Sequence, residues 1–488
     1  MSPAQVGFAL LILGLALLIG KMIRVKVGWV QRIFLPSSII GGGLLLVTGP
    51  QVLGKLAPGV GLGGDEGGLY PAELLTTWSA LPGLLISVVF ATLFLGQDLP
   101  SPKRAVALTG PQLCLGISFG AGQYMVGLLA AVAILVPMFA ITPMAGALIE
   151  IGFEGGHGTA AGMRGVLEEL GFADGADLAL GLATVGLISG IVIGIIIINW
   201  AVRRGHAEFL SGDVKTSVEE QKGLFRHDEY YPAGQMTTRP ASVEPLSLHV
   251  AIVAVAILIG WLMLEGLRWI EARTYADSFE LFTFVPLFPL ALLGGVILQI
   301  IAKKVGADHL IDEQIMVRIQ GLALDFLIVS AIATLSLTAI GDNLGPFIVL
   351  SVVGIVFNVV LLLFVAPRII PRFWFERGIG DFGQSMGVTA TGLILMRIVD
   401  PEGKSPAFEA FGYKQLVFEP FFGGGLVTAA AIPLIYTFGP YPLLIAMTLL
   451  FAAAVVSGLL LYDKWPDAVD KDETDGESTR RPAPTPLH

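Results

Sequence analysis

Two glycine-rich stretches of the chain hold residue types that could handle ions and anions. Residues 143–168 contain Gly146, Gly152, Gly155, Gly156, Gly158 and Gly162 together with Glu150, Glu154 and His157. Residues 374–398 contain Gly378, Gly380, Gly383, Gly387 and Gly392 together with Asp381, Gln384, Ser385, Thr389 and Thr391. Each glycine costs a helix about 1 kcal/mol relative to alanine, and a carboxylate at the centre of a membrane helix costs about 2.5–3.5 kcal/mol. Such segments persist in a membrane only where protein buries them or where they line a wet cavity. Both read as re-entrant hairpins with unwound tips. Free backbone amides at a tip bind carboxylates, and free carbonyls with hydroxyls and carboxylates are hard oxygen ligands for Na⁺. The candidate substrate-binding residues are Gly155, Gly156, His157, Gly158, Thr159, Gly387, Thr389 and Thr391, with the intramembrane amides Gln123 and Asn358. The candidate Na⁺ ligands are Thr159, Thr389, Glu150, Glu154 and Asp381. Small residues also serve close helix packing, but packing alone does not explain why two such stretches both carry polar side chains.

Individual side chains sharpen this reading. Glu150 and Glu154 lie four apart, on one helix face one turn before Gly155-Gly156, where at least one of them is placed to couple a cation or a proton. His157 reads either as a satisfied interior histidine or as part of the site. Asp325 falls mid-span, where an acid is a functional hypothesis by default; a salt bridge to Arg164 or Arg397 is its structural alternative. Those arginines follow the two hairpins and suit either a carboxylate clamp or snorkelling at a helix end.

The elements that must position these residues are membrane helices. The 488-residue chain is 54% hydrophobic and only 14% charged, against roughly 25% in soluble proteins, and its mean hydropathy is +0.78. About 20 apolar residues cross a bilayer core. Eleven such runs occur: 5–22, 33–50, 79–97, 110–138, 177–202, 248–268, 282–302, 319–340, 345–366, 415–437 and 441–462. Residues 1–7 lack Lys and Arg, so the first run is expected to be a span and not a cleaved signal. Lys21, Arg24, Lys26, Arg203, Arg204, Lys303, Lys304 and Arg368 fall on one side of the resulting topology. The positive-inside rule then predicts an N-terminus outside and a C-terminus in the cytoplasm. The one cysteine, Cys114, excludes an intramolecular disulfide. A net charge of −10 argues against nucleic acid as a partner.

The halves resemble each other. Pro36 precedes Gly41-Gly42 by five residues, as Pro289 precedes Gly294-Gly295. Ala91-Thr92-Leu93 recurs as Ala333-Thr334-Leu335, and Gly110-Pro111 as Gly345-Pro346, with Gln123 and Asn358 each 13 residues beyond the glycine. His157-Gly158-Thr159-Ala160-Ala161-Gly162 aligns with Gly387-Val388-Thr389-Ala390-Thr391-Gly392. Five spans per half force the second repeat to be inverted, an arrangement that puts transport sites near the midplane. The expected fold is an all-α membrane protein of two inverted five-helix repeats with re-entrant hairpins plus an additional C-terminal span. Its parts are a first repeat over 1–202, a cytoplasmic linker over 203–247, a second repeat over 248–440, an extra helix over 441–462 and a disordered acidic tail over 463–488.

These motifs resemble the sodium/glutamate symporter family. Gly155-Gly156-His157-Gly158-Thr159 is similar to the family's G-G-H-G-T, and Gly387-Val388-Thr389-Ala390-Thr391 to its G-A-T-P-T. Family members also place Gln where Gln123 and Asn358 stand. The resemblance covers roughly 30–437. It implies Na⁺-coupled uptake of glutamate or a related small carboxylate, and a homodimer in a bacterial inner (plasma) membrane with elevator-like alternating access. Three departures stand out: Glu150 and Glu154 replace small residues, Asp381 replaces a His, and Ala390 replaces a Pro. The added acids would bind cations or protons, or favour a different substrate, so a proton-coupled organic anion transporter is the alternative. Gly378-Ile379-Gly380-Asp381 also resembles the G-x-G-D of intramembrane aspartyl proteases. Asp325 lacks the Tyr that should precede a partner aspartate, however, and Pro-Ala-Leu is absent. The expectation is a transporter and not an enzyme. Nothing suggests the ring of charges that a channel would need.

Overall fold

In hydrocarbon, each backbone N–H and C=O must find its partner within the protein, so long apolar runs coil. The computed structural model describes residues 3–57, 67–97, 102–208, 222–225, 232–274, 282–400 and 404–461, with backbone alone for 102–108. Among the described residues every regular element is helical, and eleven helices are long and apolar enough to cross a membrane. Those that frame the site are α1 (Pro3–Lys26), α2 (Ser37–Thr48), α3 (Ala72–Thr92), α4 (Pro102–Ala130), α5 (Leu148–Phe153), α6 (Gly156–Gly162) and α7 (Asp174–Arg204). They continue with α8 (Pro245–Thr274), α9 (Leu287–Val305), α10 (Glu313–Ala333), α11 (Leu344–Val360), α12 (Trp374–Val399), α13 (Ala407–Phe418), α14 (Leu426–Phe438) and α15 (Pro440–Leu461). Helices α7 and α9 stop in the same way. Arg203-Arg204 and Lys303-Lys304 occupy their last turns and a left-handed glycine follows, Gly205 or Gly306, which favours the negative end of the helix dipole and its open carbonyls.

The glycine pairs that recur in sequence do the same work in both halves. A Cβ on Gly41 would lie 2.7 Å from Ala16 O, and one on Gly20 2.9 Å from Gly41 N, so α1 and α2 touch backbone to backbone. Gly294 and Gly260 repeat the joint between α8 and α9: their Cβ atoms would lie 2.1 Å from Ala256 O and 2.6 Å from Ala291 N. The second glycine of each pair faces the other half, Gly42 at Val329 O and Ile332 of α10, Gly295 at Ala91 O of α3. Accordingly α2 packs on α10 as α9 packs on α3, with α3 and α10 against each other. A further match concerns helix geometry. A widened π turn at Ala131–Leu135 precedes Pro137, and another at Leu361–Val365 precedes Pro367. Proline removes an N–H and crowds the carbonyl four residues back, and the extra residue in the turn accommodates both.

Two segments differ from their expected course. The apolar run 415–437 is not one span: α13 ends at Phe418, a turn with Gly423 (φ +68°) and Gly424 (φ +112°) follows, and α14 begins at Leu426. Hydropathy averages composition and does not register this break, although Pro420 and the run Gly423-Gly424-Gly425 mark it. The eleventh place by length goes instead to α12, whose 26 residues are interrupted at Gly387 (φ −160°, ψ 45°) and Val388 (φ 59°, ψ 174°). There the chain doubles back. A Cβ on Gly383 would lie 2.7 Å from Gly392 Cα, and one on Gly380 2.4 Å from Met396 Sδ. Nine residues of straight helix would hold the first pair about 13 Å apart. Along α7, Gly186, Gly190 and Gly194 make room for this doubled segment, meeting Met386 and Leu395. The linker 203–247 falls partly, and the tail 463–488 wholly, outside the described residues; α15 packs along α4.

Candidate functional site

Two breaks meet at the centre of this framework. Helix α5 stops at Phe153, Glu154 and Gly155 both donate their amides to Glu150 O, and Gly156 takes a left-handed φ of +68°. The opposing break is Gly387–Val388. A Cβ on Gly156 would fall 2.3 Å from Val388 Cγ1, so the two tips touch at a position where only glycine fits. Val388 itself is a β-branched residue at positive φ, a conformation that costs on the order of 1–3 kcal/mol and clusters at functional sites.

The carboxylates around the tips are held very differently. Glu150 is fully buried and accepts three hydrogen bonds: from Tyr124 Oη at 2.6 Å, Gly423 N at 2.8 Å and Thr428 Oγ1 at 2.8 Å. It ties the first break to the turn between α13 and α14. Glu154 is 3% exposed, yet neither of its oxygens accepts a well-formed hydrogen bond from the described residues. Its electrostatic surroundings are Lys414 and the Ser385 hydroxyl on the favourable side, and Glu150 and Asp381 on the unfavourable side. Asp381 accepts from Gln112 Nε2 at 2.6 Å and forms a buried ion pair with Lys414 at 3.0 Å. Arg377 reaches it through Gln112, donating Nε to Gln112 Oε1 at 2.9 Å. Glu419 accepts from Thr389 Oγ1 at 3.0 Å and Gln415 Nε2 at 2.7 Å. Glu150, Glu154, Asp381 and Glu419 are thus set against Lys414 and Arg377, and the acids outnumber the bases.

The remaining candidates fall around the same centre. Thr159 is buried and donates to Gly423 O at 3.3 Å. His157 Nε2 meets Thr184 Oγ1 at 2.9 Å, and that hydroxyl donates onward to Leu180 O, so the imidazole nitrogen is the donor between them. Thr391 donates to Gly387 O across the break. Gln123 and Asn358, each 13 residues past the glycine of a Gly-Pro pair, converge on one atom: their amides donate to Ser385 O at 2.7 and 2.9 Å. Carbonyls before a break lose their helical N–H donors, and these two side-chain amides supply donors in their place. Gly155 and Gly158 pack within the first break, against Thr159 and Ile86. The arginines do not pair with Asp325. Arg164 pairs with Asp177 at 2.8 Å and Arg397 is exposed, while Ser38 is the hydrogen-bonding side chain near Asp325. Among the described residues no group of three or more His, Cys, Asp or Glu side chains has metal-binding geometry, so a bound cation would draw on hydroxyls and carbonyls beside a carboxylate.

Tyr124, Gln112, Lys414, Gln415, Glu419 and Thr428 enter the site without having been singled out in the sequence. Four of them flank the unrecognised break at 419–425, and Gln112 directly follows the repeated Gly110-Pro111.

Broken helices around a buried, acid-rich polar centre define a membrane carrier of the secondary-transport class. The chain belongs to the sodium/glutamate symporter family, whose description matches residues 72–401, more than half of its length. This is a family of transporters and not of enzymes, its coupling ion is Na⁺ and its substrate glutamate. The protease reading of Gly378–Asp381 is thereby set aside. No curated protein matches the chain at a significant level.

Proposed function

We propose that this chain is a Na⁺-coupled symporter of glutamate or a related small carboxylate, with the substrate and ion sites at the contact between the two breaks. The observation that carries this reading is Glu154. A buried carboxylate without hydrogen bonds costs several kcal/mol unless a cation or proton neutralises it, and neighbouring acids raise that cost. An anionic substrate would raise it further, so substrate must arrive with positive charge. Thr159 and Thr389 offer hydroxyl ligands beside the Gly423 carbonyl and Glu419, and the amides after Gly387–Val388 suit the substrate carboxylate.

The matching glycine joints and the crossed packing of α2 on α10 and α9 on α3 support two inverted repeats. The doubling back of α12 supports a re-entrant hairpin. In this reading the N-terminus faces outside, the C-terminus the cytoplasm, and a homodimer in a bacterial inner membrane moves the site by an elevator-like motion. A second reading, proton coupling, is favoured by the same side chain, since an unpartnered carboxylate takes a proton as readily as Na⁺. Proteoliposomes decide between them. An inward Na⁺ gradient should drive glutamate uptake, and apparent Na⁺ affinity should fall at acid pH as protons compete for Glu154. Uptake driven by a proton gradient alone, indifferent to Na⁺, would replace the first reading with the second.

A further inference from the structure

The Lys414 ammonium occupies a cage of a kind usually given to an ion. Its stem leaves α13 and passes Gly116 of α4, where a Cβ would lie 3.1 Å from Lys414 Cδ and Cε. Its Nζ reaches Asp381 Oδ1 at 3.0 Å and Gln384 Oε1 at 2.5 Å, two oxygens one helical turn apart on the first limb of α12. The faces of Phe418 and Phe411, 4.4 and 5.0 Å from Nζ, close the cage, a contact that attracts a cation. The residue is 1% exposed. A structural salt bridge would need Asp381 alone. Here the charge also binds Gln384 and acts on Glu154 and Glu419, carboxylates with no bonded cation.

We infer that Lys414 is a tethered counter-cation, filling an oxygen cage that would otherwise take an alkali ion. Because a covalently held charge is released to neither side of the membrane, Lys414 neutralises the centre without adding to transport stoichiometry. This rests on the symporter reading given above. Its consequence is that the carrier moves one Na⁺ fewer per substrate than it would with a neutral residue at position 414. Lysine suits the role because its charge is compact and its stem flexible.

The experiment compares wild type, Lys414→Met and Lys414→Met/Asp381→Asn. Reversal potentials of labelled glutamate flux in proteoliposomes give the number of Na⁺ moved per substrate. Melting temperatures of purified protein in NaCl against choline chloride report Na⁺ binding independently of transport. Lys414→Met should move one more Na⁺ per glutamate than wild type and show a steeper Na⁺-specific rise in melting temperature. The double variant removes both charges and should return to the wild-type number. If Lys414→Met does not fold, Lys414→Gln, which keeps a neutral polar group in the cage, takes its place: one more Na⁺ per glutamate than wild type supports the inference and the wild-type number overturns it. Lys414→Met with wild-type stoichiometry and an unchanged Na⁺ profile overturns the inference alone. Wild-type protein without any Na⁺ dependence overturns the symporter reading and the inference with it.

Discussion

The first break, at Glu154–Gly156, and the second, at Gly387–Val388, touch tip to tip but are stabilised by opposite means. At the second, every charged group has a partner: Asp381 has Lys414 and Gln112, and the orphan carbonyl of Ser385 has Gln123 and Asn358. At the first, Glu150 accepts three hydrogen bonds while Glu154, one turn on, accepts no well-formed one from the described residues and has Lys414 and the Ser385 hydroxyl as its favourable neighbours. The scaffold helices α1–α3 and α8–α10 repeat each other contact for contact. The breaks each contain one residue of positive φ, Gly156 and Val388, and differ in charge. The matching joints build the framework, and the contrast between the breaks marks the group on which coupling is proposed to depend.

The largest effect should come from disturbing the contact between the tips. Gly156→Ala combines a left-handed backbone, about 1–2 kcal/mol for a residue with a Cβ, with a clash on Val388, about 1–3 kcal/mol of overpacking. Uptake should be lost and the melting temperature should fall. Adding Val388→Ala should recover part of the stability, since it relieves the clash and leaves the strain. Failure of the second substitution to recover anything would break the tip-to-tip picture.

Glu150→Gln should come next. It keeps the shape and weakens charge-assisted hydrogen bonds from Tyr124, Gly423 and Thr428, each worth about 1.5–3 kcal/mol, so thermal unfolding should occur several degrees lower. Glu154→Gln should leave the melting temperature unchanged or raise it, because no hydrogen bond is lost and a buried charge disappears. Equal destabilisation by the two substitutions would erase the contrast between them. Smaller effects should follow at the hydroxyls. Thr389→Val removes a donor to Glu419 and an acceptor for Gln415, whereas Thr159→Val removes one donor to Gly423 O. At about 1 kcal/mol per hydrogen bond, both should weaken apparent Na⁺ affinity by several-fold, Thr389→Val more than Thr159→Val.

Much of this was legible in the chain itself. Hydropathy located most of the spans because a bilayer fixes their length, and Gly41-Gly42 and Gly294-Gly295 stood out as a match between the halves before the structure showed them at close helix joints. The glycine content of 374–398 identified a segment that could not be a plain helix, and α12 does double back at Gly387–Val388. The third break, between α13 and α14, was hidden because 415–437 is apolar on average. The partners of Glu150 were equally hidden: Gly423 and Thr428 lie more than 270 residues away, and no local pattern links them. For the same reason Glu150 and Glu154 read as equivalent until their surroundings separated them.

The central claim is that Glu154 carries the coupling charge, and comparing accumulation with exchange in Glu154→Gln proteoliposomes tests it most directly. Net accumulation of glutamate under an inward Na⁺ gradient requires the coupling cation to be bound on one side and released on the other, whereas glutamate exchange does not. The account predicts that Glu154→Gln abolishes gradient-driven accumulation while exchange stays within a few-fold of wild type. A variant that accumulates glutamate as wild type does, with the same Na⁺ dependence, would contradict it.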